Sequence, residues 1–300
     1  MFERIFDKKT SVALGSFDGL HIGHRAVVMN AAGEADRGLV PVVLLFDEHP
    51  LSAIKNAPPE AITTKEELEN EIKALNAVPV TVSFKSIMNM TPEEFIDTIL
   101  VGMLNAGAVS CGFNFRFGRN SSGNPEILKK LCDDRSIKLI ITDEVDYLGE
   151  PVSSTRIRKA IADGDMISAR NMLGHNFYYV FTVESGDRIG RTLGFPTINQ
   201  FFPDNFAIPK FGVYASTAYV ENKPYPAVTD IGIRPTLEHK KPRSETNIIG
   251  FSGDLYYKKI KIELLKYIRP EIRFSSLDEL KIQIAKDSNT AEEIYEKARK

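Results

Sequence analysis

Two histidines stand three residues apart in a glycine-rich segment, Gly15-Ser16-Phe17-Asp18-Gly19-Leu20-His21-Ile22-Gly23-His24. The segment follows a predicted strand and opens a predicted helix, whose free N–H groups and dipole attract phosphate. His21 and His24 would share one helical face and donate hydrogen bonds to phosphate oxygens as charge builds in a transition state. Outside such a glycine frame, a histidine pair of this kind is more often a surface feature of a capped turn.

Two further groups of residues in the first half could contact a nucleotide. Ser154, Thr155 and Arg156 lie in Val152-Ser153-Ser154-Thr155-Arg156-Ile157-Arg158 and supply the hydroxyls and positive charge that a triphosphate needs. Taken alone, however, the segment is better explained by a capped helix with solvated arginines. Asn114 lies in the aromatic segment Gly112-Phe113-Asn114-Phe115-Arg116-Phe117-Gly118, which could instead be a packed core turn.

The second half has its own candidate phosphate and metal segment, residues 186–199. It is not a Walker A sequence, but a glycine-flanked turn can wrap phosphates with backbone N–H groups. Thr197 and Asn199 would point to the same side of an extended segment, where a hydroxyl and an amide oxygen can help to hold Mg²⁺. A β-turn followed by a proline-stiffened loop is an equally good interpretation. Glu245, taken alone, is most simply a solvated charge.

These residues need elements to position them, and the first half alternates strand and helix patterns. Predicted strands are Ser11–Leu14, Leu39–Phe46, Val78–Phe84, Ala108–Phe113 and Ile137–Thr142. Predicted helices are His24–Asp36, Thr64–Asn76, one opened by Thr91-Pro92-Glu93-Glu94, and Asn124–Arg135. The alternation predicts a parallel α/β sheet of the Rossmann-like kind, with ligands beyond the carboxyl ends of its strands.

After about residue 175 the pattern changes to strands separated by turn residues. They are Phe177–Glu184, Gly212–Val220, Pro226–Gly232, Thr246–Phe251 and Lys259–Tyr267. No long helix separates them, which predicts a β-barrel or a sandwich. An amphipathic helix beginning at Ser275-Ser276-Leu277-Asp278 ends the chain. We therefore predict two domains, residues 1–174 and 175–300.

The motifs, taken in order, resemble the prokaryotic bifunctional riboflavin kinase/FAD synthetase family. The first half carries GSFDGLHIGH, FDEHP, GFNFRFG and SSTRIR. The second carries GDRIGRTLGFPTIN, PKFGVYA, DIGIRPT, SETN with GDLY, and IRPEIRF. Each motif is of limited specificity, whereas the ordered set is highly specific and covers nearly the whole chain. The resemblance implies a nucleotidyltransferase domain followed by a β-barrel riboflavin kinase domain.

For the first domain, the resemblance implies that FMN is adenylylated by ATP to FAD with release of pyrophosphate. His21 and His24 would contact the ATP phosphates, and Asn114 would lie near the reacting phosphates. Ser154, Thr155 and Arg156 would hold the β- and γ-phosphates. The rest of the expected ATP-binding set in this half is Gly15, Phe17, Asp18 and Gly23.

For the second domain, it implies that ATP phosphorylates riboflavin to FMN. Glu245 would be the general base, and Thr197 and Asn199 would bind Mg²⁺ with ATP. The remaining expected ATP contacts are Gly186, Gly190, Arg191 and Pro196. Two residues depart from the family pattern: Asp230 stands where asparagine is usual, and Asn247 where histidine is frequent. Asp230 adds a negative charge beside the expected phosphate site.

Composition limits the partners that we expect. The chain has 300 residues and a formal net charge of -2, which gives no support to nucleic-acid or membrane binding. Its two cysteines lie outside any CxxC motif and cannot form a disulfide framework, and no secretion signal is recognised. We therefore expect a cytoplasmic protein. The expected partners are riboflavin, FMN and ATP. The sequence makes no prediction of oligomeric state.

Three other interpretations stay open at this point. Only one half could be active, or both sites could bind flavin and nucleotide for regulation without turnover. The first half could also belong to an adenylyltransferase for another substrate, although such enzymes resemble only that half.

Overall fold

The chain forms two compact units, which we describe separately from a computed structural model. The structure describes residues 2–49, 52, 58–185, 194–233 and 241–299. The N-terminal unit is Met1–Pro59 with Thr64–Ser154, and the C-terminal unit is Glu60–Thr63 with Thr155–Lys300. The two helices that precede residue 174 are thus part of the C-terminal unit by compactness. A division of functional domains after residue 174 stays a prediction.

The N-terminal unit is an α/β sandwich around a parallel sheet. Its strands are β1 Thr10–Leu14, β2 Val40–Phe46, β3 Val78–Val82, β4 Ala106–Gly112, β5 Lys138–Thr142, and the short pair β6 Asp146–Tyr147 and β7 Glu150–Pro151. Its helices are α1 Ile22–Ala32, α2 Lys65–Ala74, α3 Phe84–Ile87, α4 Pro92–Phe95 and α5 Pro125–Asp133, with a π-helix at Ile96–Met103. In the described residues the main sheet has the order β3-β2-β1-β4-β5, all parallel.

Alternate residues of the central strands pack into two separate cores, one on each face of this sheet. Ala13 and Val43 join Val27 and Val28 of α1 on one face. The other face is covered by a larger cluster that includes Val12, Leu14, Val42, Leu44, Phe95, Ile96 and Ile99. A parallel sheet buried on both faces explains why its strands read as short continuous apolar runs. The predicted Rossmann-like arrangement is confirmed.

Local sequence signals set where several helices begin. The Thr91 side chain accepts a hydrogen bond from the Glu94 backbone N–H, and the Glu94 carboxylate accepts one from Thr91, which completes the predicted capping box. The side chains of Thr64 and Asn124 cap α2 and α5 by accepting hydrogen bonds from the N–H groups of Glu67 and Ile127. Each cap satisfies a backbone donor that the first helical turn would otherwise leave without a partner.

The C-terminal unit is an antiparallel barrel with flanking helices. Its elements are α6 Ser154–Asp163, α7 Met166–Leu173, β8 Tyr178–Thr182, β9 Thr197–Phe201, β10 Gly212–Val220, β11 Lys223–Gly232, β12 Arg243–Ile248, β13 Lys259–Arg269 and α8 Leu277–Ala298. Among the described residues the strand order is β8-β13-β10-β11-β12-β9. The barrel prediction and the terminal helix are confirmed.

The barrel is nearly closed where β9 approaches β8. The buried Gln200 amide on β9 donates to the carbonyl oxygens of Phe181 (2.6 Å) and Ile260 (2.9 Å). The Glu184 N–H, just beyond β8, donates to the Asn199 carbonyl at 2.8 Å. These bonds substitute for a full ladder between the two edge strands.

The barrel interior is lined partly by hydroxyl groups. Thr229 lies between Ser216 and Thr246, at oxygen–oxygen distances of 2.8 Å and 2.9 Å, and all three side chains are buried. Interior and exterior positions alternate along a barrel strand. Thr246 therefore fixes the orientation of its neighbours on β12, Glu245 and Asn247, which face outward.

The terminal helix is fastened to the barrel by a buried ion pair. The Arg269 guanidinium at the end of β13 donates from Nε and Nη2 to the Asp287 carboxylate, the shortest distance being 2.6 Å. Gln283 donates to the same carboxylate at 2.8 Å. A buried pair satisfied in this way contributes mainly geometric specificity, and loss of either partner would leave a buried charge.

Three details differ from the sequence expectations. Thr197–Phe201 forms strand β9, whereas the sequence left a proline-stiffened loop as an equal alternative. Strand β12 begins at Arg243 and ends at Ile248, earlier than the predicted Thr246–Phe251. The predicted helix over residues 24–36 begins at Ile22 and is α-helical only to Ala32, followed by a 3-10 helix. In the described part of the chain, no helix combines the length and apolar character needed to cross a membrane.

We expect Gln200→Leu to destabilise the barrel by about 1–3 kcal/mol, because it removes the shared donor of two carbonyl groups in a buried position. Denaturant unfolding of the purified protein measures the loss. Thr182→Val, at an exposed position on β8, is the matched control and should change the free energy of unfolding by less than about 0.5 kcal/mol. Equal stability of the two variants would show that the Gln200 side chain does not stabilise the closure of the barrel.

Candidate active sites

A large cavity lies in the N-terminal unit at the carboxyl ends of its strands. Its volume is about 1210 Å³, and it is lined by the ends of four strands through Leu14, Leu44, Gly112 and Thr142. The strand order reverses between β1 and β4, and a ligand in an open parallel sheet binds at such a reversal. The cavity therefore occupies the position predicted from the strand pattern.

The two histidines meet at the floor of this cavity, where α1 begins. His21 is the N-cap of α1, and its Nδ1 accepts a hydrogen bond from the His24 N–H at 3.3 Å. The two rings stack with centroids 3.6 Å apart. Because Nδ1 of His21 is an acceptor, we assign its proton to Nε2, which leaves Nε2 as a donor.

Burial keeps both histidines neutral at pH 7. It lowers the pKa of His21 to about 4. Burial and then the charge of His21 lower the pKa of His24 well below its usual 6.5. Two neutral imidazoles beside a helix N-terminus can donate hydrogen bonds to phosphate without like-charge repulsion between them.

This histidine pair should make the protein sensitive to acid. A pKa lowered by folding means that the unfolded chain binds more protons below pH 6.5, so stability is complete above that pH and is lost as the pH falls toward 4. For His21 alone the expected loss at pH 5 is about 2 kcal/mol. Denaturant unfolding at pH 7 and pH 5 measures it. His21→Asn keeps a capping acceptor without a titrating group, so a pH dependence equal to that of the wild type would contradict this explanation.

The glycines of this segment permit close packing around the rings. A Cβ on Gly15 would lie 3.1 Å from the Phe17 ring, and one on Gly23 would lie 3.3 Å from the His21 ring. Phe17 is fully buried in the left-handed region at φ 49°, a strained conformation for a side chain of this size. Its ring meets His24 edge-on at 5.4 Å. Contact with the Phe17 ring therefore helps to hold the His24 ring in place.

Only some of the other residues predicted for this site line the cavity. Gly15, Gly23, Asn114 and Ser154 line the cavity, whereas Phe17 and Asp18 are absent from its lining within the described residues. The Ser154 hydroxyl donates to the Asp18 carbonyl at 2.9 Å, which ties the end of the unit to the glycine-rich segment. Thr155 and Arg156 follow Ser154 in the first turn of α6. Pro50 of the FDEHP motif lies outside the described residues.

Sequence reasoning missed several cavity side chains. Three of them are Arg116, Asp143 and Glu144. Arg116 lies within the aromatic segment singled out from the sequence, but no role was predicted for its side chain. Asp143 and Glu144 directly follow β5. Their positions after strands β4 and β5 were the available signal, because the carboxyl ends of parallel strands share one edge. The cavity also has aromatic walls, including Phe46, Phe84 and Phe115, which suit a flat ring system.

In the C-terminal unit, the predicted kinase residues lie in rows across three strands. Asn199 on β9 is the register partner of Glu245 on β12, and Glu245 is the partner of Asp230 on β11. Thr197 is paired in the same way with Asn247. Directly paired residues of antiparallel strands project on the same face, so these side chains share the outer face of the barrel.

Two contacts organise this face. Arg243 Nη2 lies 2.8 Å from Glu245 Oε1, and both side chains are largely buried. Asn247 donates from Nδ2 to the Pro196 carbonyl at 2.8 Å, which holds the backbone before Thr197. Asn247 therefore has a structural role. Arg243 was missed, although its spacing of two from Glu245 places both on one face of a strand.

The donor set suits a hard cation that is completed by a substrate. Thr197 offers a hydroxyl and Asn199 an amide oxygen, both typical ligands of Mg²⁺. Within the described ranges, no three histidine, cysteine, aspartate or glutamate side chains come together to hold a metal ion by themselves. Phosphate oxygens and water would have to supply the remaining ligands. Gly186, Gly190 and Arg191 lie outside the described residues.

Comparison with known proteins assigns the two halves separately. The family model for FAD synthetase matches residues 4–156, and the one for riboflavin kinase matches residues 173–295. The bifunctional riboflavin kinase/FMN adenylyltransferase of Bacillus subtilis is 34% identical, covering 97% of this chain and 94% of its own length. The protein of the same description from Escherichia coli K12 is 35% identical, covering 95% and 92%.

A solved structure has the same fold over nearly the whole chain. It is described as a macrolide-efflux protein from Streptococcus pneumoniae, with a TM-score of 0.88, 29% identity and coverage of 96% of this chain and 95% of its own. We take only the fold from this neighbour, since both family models and the two relatives above agree on flavin chemistry. This chain belongs to the family of bifunctional riboflavin kinase/FMN adenylyltransferases.

Proposed function

We infer that this enzyme converts riboflavin to FMN and FMN to FAD, using one ATP in each step. The observation that carries the inference is the match of two enzyme families to successive parts of one chain, at residues 4–156 and 173–295. We assign adenylyl transfer to a domain of residues 1–174 and phosphorylation to residues 175–300. A flavin-binding regulator without turnover would have no need for an outward-facing carboxylate in the Asn199–Glu245 row.

For adenylyl transfer, we propose that an FMN phosphate oxygen attacks the α-phosphorus of ATP while the bond to the β-phosphate breaks and pyrophosphate leaves. A phosphate dianion is already nucleophilic, so the protein supplies positioning and charge stabilisation. His21 and His24 donate to phosphate oxygens, and the N-terminus of α1 adds its dipole. Asn114 lies near the reacting phosphates.

The remaining contacts in this domain hold the ends of the ATP molecule. Ser154, Thr155 and Arg156 bind the β- and γ-phosphates, where an arginine provides charge with directed donors. Gly15, Phe17, Asp18 and Gly23 shape the phosphate-binding segment, with Phe17 acting through His24.

For phosphorylation, we propose that Glu245 accepts the proton of the riboflavin 5′-hydroxyl as that oxygen attacks the γ-phosphorus and ADP leaves. The ion pair with Arg243, at 2.8 Å, supports this role because it holds the Glu245 carboxylate in a fixed orientation. Thr197 and Asn199 would hold Mg²⁺ together with the ATP phosphates. Gly186, Gly190, Arg191 and Pro196 complete the ATP site. A Mg²⁺ ion held by Thr197 and Asn199 would supply positive charge against the charge that develops on the transferred group.

We also propose small molecules as the partners and the cytoplasm as the location. Both cysteines are free and buried, and burial raises the pKa of each thiol, to about 12 for Cys111 and about 11 for Cys132. Thiols of this kind resist oxidation and disulfide exchange. Riboflavin, FMN and ATP account for both sites without a nucleic acid or membrane.

Isotope labelling tests the order and the atoms of the two reactions. With [γ-³²P]ATP, the label should enter FMN and be retained in FAD, in the phosphate that is attached to the riboflavin portion. With [α-³²P]ATP, the label should enter FAD and be absent from FMN. Label from the α-position in FMN, or none in FAD from either nucleotide, would contradict the proposed pair of reactions.

A further inference from the structure

One cationic side chain of the N-terminal cavity has no part in the contacts proposed above. Arg116 lines the cavity and is the only lysine or arginine among the described residues of the lining. Within that described part of the chain, its guanidinium has no ion pair and no hydrogen bond. The two acidic residues of the lining, Asp143 and Glu144, are therefore not paired with it. Arg116 is thus available to bind an anion in the cavity.

The reaction in this cavity needs positive charge near the FMN phosphate. ATP and FMN both bring phosphate anions, and two acidic residues already line the cavity. His21 and His24 are neutral at pH 7, because burial lowers both of their pKa values. The proposed contacts of Arg156 are with the β- and γ-phosphates of ATP. The attacking FMN phosphate is therefore left without a cationic partner among these residues.

The loop that carries Arg116 also carries aromatic side chains suited to a flavin. This loop follows β4, whereas the glycine-rich segment with the two histidines follows β1, on the other side of the reversal in strand order. The rings of Phe115 and Phe117, on either side of Arg116, stack with centroids 5.7 Å apart, and all three residues line the cavity. A flat flavin ring packs well against aromatic rings. The FMN phosphate is joined to that ring by one short chain, so it would lie near the same loop.

Backbone hydrogen bonds fix this loop before any substrate binds. Phe117 and Gly123 exchange two of them, with N···O distances of 3.3 Å and 2.8 Å, which closes the loop on itself. The Arg119 N–H donates to the Met90 carbonyl at 2.7 Å and ties the loop to a neighbouring segment. A loop held in this way presents Arg116 without the entropic cost of ordering a mobile segment.

We propose that Arg116 binds the 5′-phosphate of FMN in the adenylylation site and thereby selects FMN over flavins that lack a phosphate. The proposal rests on the proposed function of this domain. A guanidinium can donate to two phosphate oxygens at once, which leaves the third oxygen of the FMN phosphate to attack the α-phosphorus of ATP. Its charge also reduces the repulsion between the two phosphate groups as they approach each other.

Steady-state kinetics of FAD formation from FMN at saturating ATP test this assignment, because only the adenylylation step yields FAD. Arg116→Gln should raise the KM for FMN by about 10- to 100-fold, with a smaller rise in Arg116→Lys, which keeps the charge. Riboflavin phosphorylation should stay unchanged in both variants. Arg119→Gln removes an exposed arginine of the same loop that is absent from the cavity lining, and its KM for FMN should equal that of the wild type.

Lumiflavin distinguishes a phosphate contact from a general disturbance of the flavin site. It has the flavin ring but no ribityl chain or phosphate, so the kinase site cannot phosphorylate it. Its inhibition constant against FMN should be the same in Arg116→Gln as in the wild type. An equal rise in this constant and in the KM for FMN would overturn the proposal.

Two further results would also contradict the role of Arg116. One is an unchanged KM for FMN in Arg116→Gln, and the other is a rise confined to the KM for ATP, which would assign the guanidinium to the nucleotide. If the wild type forms no FAD, the proposed function fails instead. Titration with FMN, followed by flavin fluorescence, would then still test Arg116: weaker FMN binding in Arg116→Gln than in Arg119→Gln supports the contact, and equal binding overturns it.

Discussion

Glu245→Gln should reduce FMN formation from riboflavin by roughly 10²–10⁴-fold while the conversion of added FMN to FAD continues at nearly the wild-type rate. Glutamine keeps the size of the side chain and its ability to accept from Arg243 but cannot take a proton from the 5′-hydroxyl. The conversions are measured separately, with riboflavin or FMN as the starting flavin, at saturating ATP and Mg²⁺.

Two controls separate catalysis from folding in this experiment. Glu221→Gln changes an exposed glutamate of the same unit that lies 4.0 Å from Lys258 Nζ, and it should retain both activities. Thermal unfolding of Glu245→Gln checks whether loss of the Glu245 charge from its ion pair with Arg243 destabilises the barrel. Loss of both activities in a folded Glu245→Gln protein would contradict the assignment of separate sites.

His24→Ala should have the reverse effect, with FAD formation from FMN reduced by roughly 10²–10³-fold and riboflavin phosphorylation retained. His24 stacks on His21 at 3.6 Å and receives the edge of Phe17, so its imidazole is held in place before substrate binds. A donor fixed in advance stabilises developing charge without reorganisation, which is why its loss should affect the rate more than ATP affinity.

The matched control for this variant is His175→Ala, which removes a half-buried histidine from the C-terminal unit. It should leave FAD formation unchanged. Single-turnover rates with FMN and ATP distinguish the chemical step from product release. An undiminished single-turnover rate in His24→Ala would exclude His24 from the mechanism.

Much of the N-terminal unit could be predicted because its signals are local. Buried parallel strands leave continuous apolar runs, and Thr91-Pro92-Glu93-Glu94 specifies a helix start through its own side chains. The cavity at the carboxyl ends of the strands then follows from topology alone. The stacking of His21 on His24 could not be predicted, because it depends on His21 becoming the cap and on the strained backbone of Phe17.

The second site was harder to predict because it depends on strand register. Thr197, Asp230 and Glu245 come from three different strands, and no pattern within one strand states which residues lie opposite each other. Pro196 and the preceding glycines also weakened the signal for β9, since proline is usual at strand edges and in turns. Only the resemblance of the ordered motifs connected these residues before the structure placed them in rows.

The most direct test of two successive reactions in one chain is a chromatographic time course with purified protein, riboflavin, ATP and Mg²⁺. We expect FMN to appear first, without a lag, and FAD to follow after a lag as FMN accumulates. Conversion of riboflavin to FMN with no FAD at any time, or no conversion of riboflavin at all, would contradict the account.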